Sequence, residues 1–228
     1  MKYNNITKGK LIKRLNRFVA LVEINGLEEL THIKNTGRCA ELLLPGYTVY
    51  LTKSNNSSRK TKYDLISVFK EDGRKIVNID SQIPNALTEE WLRRSNLFTK
   101  AAKFKREVFY KNSRFDIYVE DNDRKVFIEV KGVTLEKDTT ALFPDAPTER
   151  GVKHLKELIY AVEDGYEAYV IFVIQMKGPK SFSPNKNTHK EFAEALTAAS
   201  RKGVKILAVD CFVTRDSIRI DQGINVIL

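Results

Sequence analysis

Cysteine is scarce in this chain. The two present, Cys39 and Cys211, lie far apart and form no CxxC. With three scattered histidines they make no zinc-ligand pattern, so free, reduced thiols are expected. Long apolar runs are absent too, which excludes a membrane-spanning helix, and MKYNNITKGK lacks the apolar core of a secretory signal. These absences predict a soluble protein of the cytoplasm with no membrane partner. Internal repeats and low-complexity segments are also missing. No helix-turn-helix is recognisable, so operator-specific recognition would need another route.

What the chain does have is positive charge and enough apolar residues for real cores. Its 228 residues are 42% hydrophobic, which suits one large domain or two small ones. A formal charge of +10 points to a polyanionic partner, although basicity also serves solubility. The excess is uneven. Residues 1–82 carry 15 Lys+Arg against 8 Asp+Glu, a net +7, leaving 24 against 21, a net +3, for residues 83–228.

The first third is a series of short β-like runs: GKLIKRLNRFVALVEI, LEELTHI, YTVYLTK, YDLISVFK and KIVNI. Asn25-Gly26 between two of them is a strong hairpin signal. Four or five strands in this length predict a small barrel, OB-like or SH3-like. The polar stretch SNNSSRKTK, residues 54–62, reads as a loop at a hairpin tip. Asn35, Thr36, Gly37 and Arg38 form a compact polar loop whose arginine and backbone N–H groups could grip a phosphate; a tight turn explains the glycine equally well. Tyr47, Tyr50 and Tyr63 are candidates for stacking on unpaired bases, with core filling as the alternative for some of them.

After DSQIPNA the pattern changes. We place the boundary near Ser81–Pro84, giving units of 1–82 and 83–228. Thr88, Glu89 and Glu90 resemble a helix start, followed by an apolar stripe from Trp91, Leu92 and Leu97. FKREVFYKNSRFDIYVEDNDRKVFIEVKG then reads as a β-meander, with strands near 104–110, 114–120 and 125–131. Beyond it come a long loop, GVTLEKDTTALFPDAPT, and a helix from Thr148 to Glu163. The strand AYVIFVIQM, a helix near 188–202 opened by a Thr188/Glu191 capping box, and the strand KILAVDCFV complete a mixed sheet flanked by helices.

The meander brings acidic residues together. A second turn centred on Asn122 and Asp123 sets Asp116 opposite Glu129, and like charges so opposed call for something positive between them. The strand period of two puts Lys131 on the face of Glu129, opposite apolar Val126, Ile128 and Val130. A two-residue loop at Lys111 and Asn112 would bring in Glu107 as well; a loop one residue later breaks that register. On the following helix Val152, Leu155, Leu158, Ile159 and Val162 form one stripe, while Arg150, Lys153, His154 and Glu157 form the opposite one. That polar face either is solvated or points to the site, where Arg150, Lys153 and His154 would meet nucleic acid.

The set Arg114-Phe115-Asp116 followed by Glu129-Val130-Lys131 resembles the PD-(D/E)xK nuclease superfamily, with Phe115 in place of the proline. NTGRCAELLLPG at 35–46, SRFDIYVE at 113–120, FIEVKGVTL at 127–135 and ALFPDAPTERGVKHLKEL at 141–158 resemble the sugar fermentation stimulation protein A family, SfsA. The resemblance spans nearly the whole chain. It implies an α+β two-domain protein, an N-terminal OB-like β-barrel followed by a PD-(D/E)xK nuclease-like mixed α/β domain, that binds DNA in a prokaryotic cytoplasm. Carried onto this sequence, the superfamily pattern implies catalytic roles for Asp116, Glu129 and Lys131, with Asp116 and Glu129 as metal ligands; Glu107 joins them by strand register.

Hard carboxylate oxygens suit Mg²⁺ or Mn²⁺, and such an ion with Lys131 would serve phosphodiester hydrolysis. Asp145 in the FPD turn is a candidate outer group or simply a turn former. An RNA substrate stays open. Two other functions compete: DNA binding or regulation without turnover, and hydrolysis of a small phosphate ester, which would leave the basic barrel unexplained.

Overall fold

The computed structural model describes residues 1–35, 37–54, 56, 58–70 and 75–228. Six strands form the first unit: β1 (Ile6–Arg14), β2 (Val19–Ile24), β3 (Leu27–Ile33), β4 (Thr48–Lys53), β5 (Tyr63–Lys70) and β6 (Lys75–Asn78). Their order is β3-β2-β1-β4-β5-β6, and a parallel β3–β5 pairing closes the first five into a barrel. This is the OB architecture. Asn25 and Gly26 have positive φ of 52° and 80°, as a two-residue turn requires, and Ile24 pairs with Leu27 across it. Ala20, Val22, Val49, Leu51, Leu65 and Val68 point inward and are fully buried, each valine and leucine worth about 1.5–3 kcal/mol by the area removed from water.

The second unit begins with α1 (Ile83–Arg94). The helix starts five residues before Thr88, at the boundary that the sequence places near Ser81–Pro84. Pro84 lies in its first turn, where a missing N–H costs nothing. Then come β7 (Lys103–Tyr110), β8 (Ser113–Asp121), β9 (Arg124–Val133), β10 (Leu135–Lys137), β11 (Thr140–Phe143), α2 (Glu149–Glu163) and β12 (Glu167–Ile174). The chain ends with β13 (Ser181–Pro184), α3 (Lys190–Arg201), β14 (Lys205–Val213), β15 (Ile218–Gly223) and β16 (Asn225–Val226).

The principal sheet has the order β15-β14-β12-β9-β8-β7; β9, β12 and β14 run parallel, while the β7–β8–β9 meander and β15 are antiparallel. Helix α1 covers one face through Leu87 and Leu92, packed with Ile117, Ile128 and Ile171. Helices α2 and α3 cover the other through Leu155, Leu158, Phe192 and Leu196, packed with Phe127 and Phe172.

The long segment after β9 is not a bare loop. It folds as the β10–β11 hairpin, turning at Asp138 and Thr139 (φ 49° and 61°), and joins β13 and β16 in a four-stranded sheet. Thr148 does cap α2, accepting from Gly151 N at 3.1 Å. Thr188 does not cap α3. His189 takes the N-cap position with no side-chain cap bond, because Thr188 N and His189 N are already turned back onto Asn185 O. Among the described residues no helix is long and apolar enough to cross a membrane.

The two units are joined by hydrogen bonds distant in sequence. Gln175 Nε2 donates to Asn78 Oδ1 and Asp80 O, at 2.9 and 3.0 Å. The N-terminal segment crosses the junction, with Tyr3 N donating to Asp216 O and Met1 N to Ile218 O.

Candidate active site

The β8–β9 hairpin turns on Asn122 and Asp123, with Asn122 at φ 54° and Asp121 paired to Arg124. Its ladder runs to Ile117 and Ile128. One step further, Asp116 and Glu129 are opposed, but the strands bend apart there. Phe115 and Ile117, which strict alternation would place on one face, pack into opposite core clusters. The Asp116 carboxylate fills the break. Its Oδ2 accepts from Val130 N at 2.8 Å and its Oδ1 from Asn85 Nδ2 of α1 at 2.8 Å. Burial and then the charge of Glu129 push the Asp116 carboxyl above its ordinary range.

Glu129 is 3% exposed. Its Oε1 accepts from Lys131 Nζ at 2.6 Å and contacts His154 Nδ1 of α2 at 2.5 Å. Its Oε2 is buried with no hydrogen-bond partner. Burial works to raise the Glu129 pKa, yet the Lys131 ammonium and the His154 hydrogen bond outweigh it and hold the carboxyl below its usual range. Arg150 Nε donates to His154 Nε2 at 3.3 Å, which leaves Nδ1 to carry the proton toward Glu129. His154 itself is held edge-on against Phe115, with ring centroids 5.9 Å apart.

Thus Asp116, Glu129 and Lys131 converge, and His154 joins them by supporting a carboxylate rather than facing solvent. Glu107 does not. The first turn is the two-residue loop at Lys111 and Asn112, and the flanking pairs Arg106–Ile117 and Val108–Phe115 keep the register that opposes Glu107 to Asp116. Backbone conformation overrides it: Glu107 sits at φ 55°, outside the extended region, and its side chain, 62% exposed, pairs with Arg114 at 3.4 Å.

Of the other candidates, Lys153 donates to Asn112 O at 2.7 Å, tying α2 to the β7–β8 turn. Asn35 makes a turn of its own, accepting from Gly37 N at 2.6 Å and donating to Ile79 O at 2.9 Å. Thr36 lies outside the described residues. Arg38 is exposed; its N donates to Asp145 Oδ2 at 2.9 Å, and its carbonyl accepts from Arg14 Nη1. Asp145 therefore fastens the barrel's loop to the second unit. Sequence inspection missed Asn85, since its segment carried no helical signal ahead of Thr88.

The donor set suits a hard cation. Asp116 and Glu129 offer carboxylate oxygens, and the orphaned Glu129 Oε2 is a buried acceptor in want of a positive partner. Among the described residues no group of three or more His, Cys, Asp or Glu side chains is arranged around one point. Two carboxylates are the usual protein share for Mg²⁺, which keeps water and phosphate oxygens as its remaining ligands.

Two family models match the chain: the SfsA N-terminal OB domain over residues 12–79, and the sugar fermentation stimulation protein RE domain over residues 82–217. A sugar fermentation stimulation protein homolog from Ruminiclostridium cellulolyticum is 57% identical over 226 residues, covering 99% of each chain. One from Clostridium beijerinckii is 57% identical over 228 residues, covering 100% of each. Among solved structures, Pyrococcus furiosus SfsA in complex with Ca²⁺ superimposes with a TM-score of 0.87 at 29% identity, covering 100% of this chain and 98% of that one.

Proposed function

The chain belongs to the SfsA family, and from its buried carboxylates we propose that it binds DNA and hydrolyses phosphodiester bonds in its C-terminal unit with Mg²⁺ or Mn²⁺. One observation carries the reading: Glu129 Oε2, buried and unpartnered, lies on a carboxylate opposed to Asp116 and touched by Lys131. Unmet acceptors are few in folded proteins and mark candidate sites for an ion or for chemistry; Glu41 Oε1 and Glu157 Oε2 are unmet as well, and Glu129 is set apart by its opposition to Asp116 and its contact with Lys131. The Pyrococcus furiosus relative is described in complex with Ca²⁺, a hard, oxygen-seeking ion of the same class.

Asp116 and Glu129 would hold the ion. When bound, it supplies Lewis-acid polarisation of the scissile phosphoryl group. Asn85 and Val130 N fix the Asp116 carboxylate, and His154, itself braced by Arg150, fixes that of Glu129, so both present a set geometry. Lys131 brings an ammonium next to the reacting phosphate, where it stabilises developing negative charge or orients the attacking water. The net charge of +10 and the OB barrel support a polyanionic substrate.

A second reading, DNA binding without turnover, draws on the same contacts. Lys131 and His154 already compensate Glu129, at 2.6 and 2.5 Å. One experiment separates the two: labelled single- and double-stranded DNA and RNA incubated with wild type and Lys131→Ala in Mg²⁺, Mn²⁺ or EDTA. The nuclease reading expects metal-dependent cutting that the variant loses. Tight binding with no cutting in any metal overturns it in favour of the second.

A further inference from the structure

The geometry points to a single-stranded nucleic-acid track in the cleft formed by Lys2, Lys8, Tyr50 and Arg215, where Tyr50 stacks on a base and the three cations hold the flanking phosphates. This inference rests on the nucleic-acid-binding reading above and gives it a location. The cleft has a volume of about 620 Å³ and lies between the barrel and the β14–β15 turn, with the N-terminal segment as its third wall.

Three observations converge there. First, the tyrosines differ. Tyr47 and Tyr63 pack against the barrel core, whereas Tyr50 belongs to neither core cluster and lines the cleft. On β4 it alternates with fully buried Val49 and Leu51, so its ring stands on the barrel's outer face.

Second, Lys8 is directly opposed to Tyr50 across the β1–β4 pairing. A cation thereby stands beside the ring, where it can meet the phosphate of a base stacked there. Lys2 and Arg215 line the same cleft, and among the described residues none of the three cations has an ion-pair partner. The single acid of the lining, Asp216, accepts from Thr214 Oγ1 at 2.9 Å; the cleft keeps a net positive charge.

Third, the surface that OB barrels commonly use is unsuited here. Oligonucleotides usually bind the β2–β3 face. In this chain Glu23 opposes Glu28 on that face and both are exposed, with exposed Leu27 and Leu30 close by. Opposed carboxylates repel a phosphate backbone. The positive, aromatic-bearing surface lies instead on the β1–β4 side. Single strands fit this chemistry better than duplex, because only an unpaired base offers its face to the tyrosine.

The test is fluorescence anisotropy with a labelled oligothymidylate of about 16 nucleotides, using the full chain in EDTA across a salt series. Tyr50→Ala should weaken binding roughly 5- to 150-fold, the range for one lost base–aromatic stack, while Tyr50→Phe binds as wild type does. Lys8→Gln/Arg215→Gln should flatten the salt slope by roughly 1.4, about 0.7 for each lost phosphate contact on a single strand. Lys190→Gln, which removes an exposed α3 cation paired with Glu194, should leave the slope unchanged. A wild type that binds no nucleic acid overturns both this inference and the functional reading. Wild-type binding with unaltered Tyr50→Ala affinity overturns the cleft alone, as does an equal loss on duplex and single strand.

Discussion

Replacing Lys131 with methionine tests whether that ammonium and a divalent cation serve the same carboxylate. Methionine keeps most of the side chain's apolar length and removes only the charge. In wild type Nζ lies 2.6 Å from Glu129 Oε1, and the two side chains are 18% and 4% exposed. Breaking a buried ion pair from one side costs roughly 3–5 kcal/mol, because the remaining charge is left uncompensated. Lys131 reaches solvent and His154 still supports Glu129, so the lower end applies. For a protein of this size, about 3 kcal/mol corresponds to a fall in Tm of roughly 6–12 °C in EDTA.

Mg²⁺ should reverse much of that loss. A ligand at 100 times its Kd stabilises the folded state by about 2.7 kcal/mol, and the variant's Glu129 no longer shares its charge with an ammonium. Mg²⁺ should therefore bind the variant more tightly, by roughly tenfold for each 1.4 kcal/mol of repulsion removed. Differential scanning fluorimetry against a Mg²⁺ titration measures both effects. A variant as stable as wild type in EDTA, or one that Mg²⁺ stabilises less than it does wild type, would refute the shared-carboxylate argument.

Glu107→Gln should leave Mg²⁺ affinity within about twofold of wild type by calorimetry, as its side chain is 62% exposed and paired with Arg114; a tenfold loss would return Glu107 to the site. Glu167 is held down to about 2 by Arg124, against some burial, and then by Lys205. Its folded pKa lies below the unfolded value, so its contribution is present above about pH 4.5 and disappears as pH falls toward 2. Discounted for solvent screening, Glu167→Gln should cost about 0.5–1 kcal/mol at pH 7 and nothing near pH 2, and urea unfolding at both pH values checks it. Asp145→Ala removes the acceptor of Arg38 N and Cys39 N, at 2.9 and 3.3 Å. It should cost about 2 kcal/mol and hasten trypsin cleavage at Arg38, followed by gel electrophoresis; unchanged digestion would show that the loop is held elsewhere.

What the amino-acid order encodes legibly is local chemistry. Asn25-Gly26 and Asn122-Asp123 turn where they are expected to, with Asn25, Gly26 and Asn122 at positive φ, and each turn fixes a register that carries a whole face of side chains with it. The opposition of Asp116 to Glu129 follows from the second turn alone. Where elements depend on distant partners, the signal fails. Strands β13 and β16 are four and two residues long and exist through parallel pairing with segments remote in sequence. Asp145 reads as a turn former until the fold brings it to Arg38, 107 residues away. Glu107 fails for the opposite reason: its register is right, but one positive φ detaches the side chain from it.

The polar stripe of α2 shows why site membership is harder to read than site chemistry. Arg150, Lys153, His154 and Glu157 share one helical face by periodicity, and an amphipathic helix ordinarily turns such a face to water. Here His154 and Glu157 are 5% and 7% exposed, while Lys153 reaches out to the β7–β8 turn. The helix therefore buries two kinds of surface at once: its apolar stripe against the sheet, and a polar edge over the place where β8 and β9 bend apart. That bend arises at Asp116, whose carboxylate takes the Val130 N–H that a continuing ladder would have used. The same aspartate thus opens the sheet and supplies half of the carboxylate pair, so that the local break in the fold and the chemistry of the site have one cause.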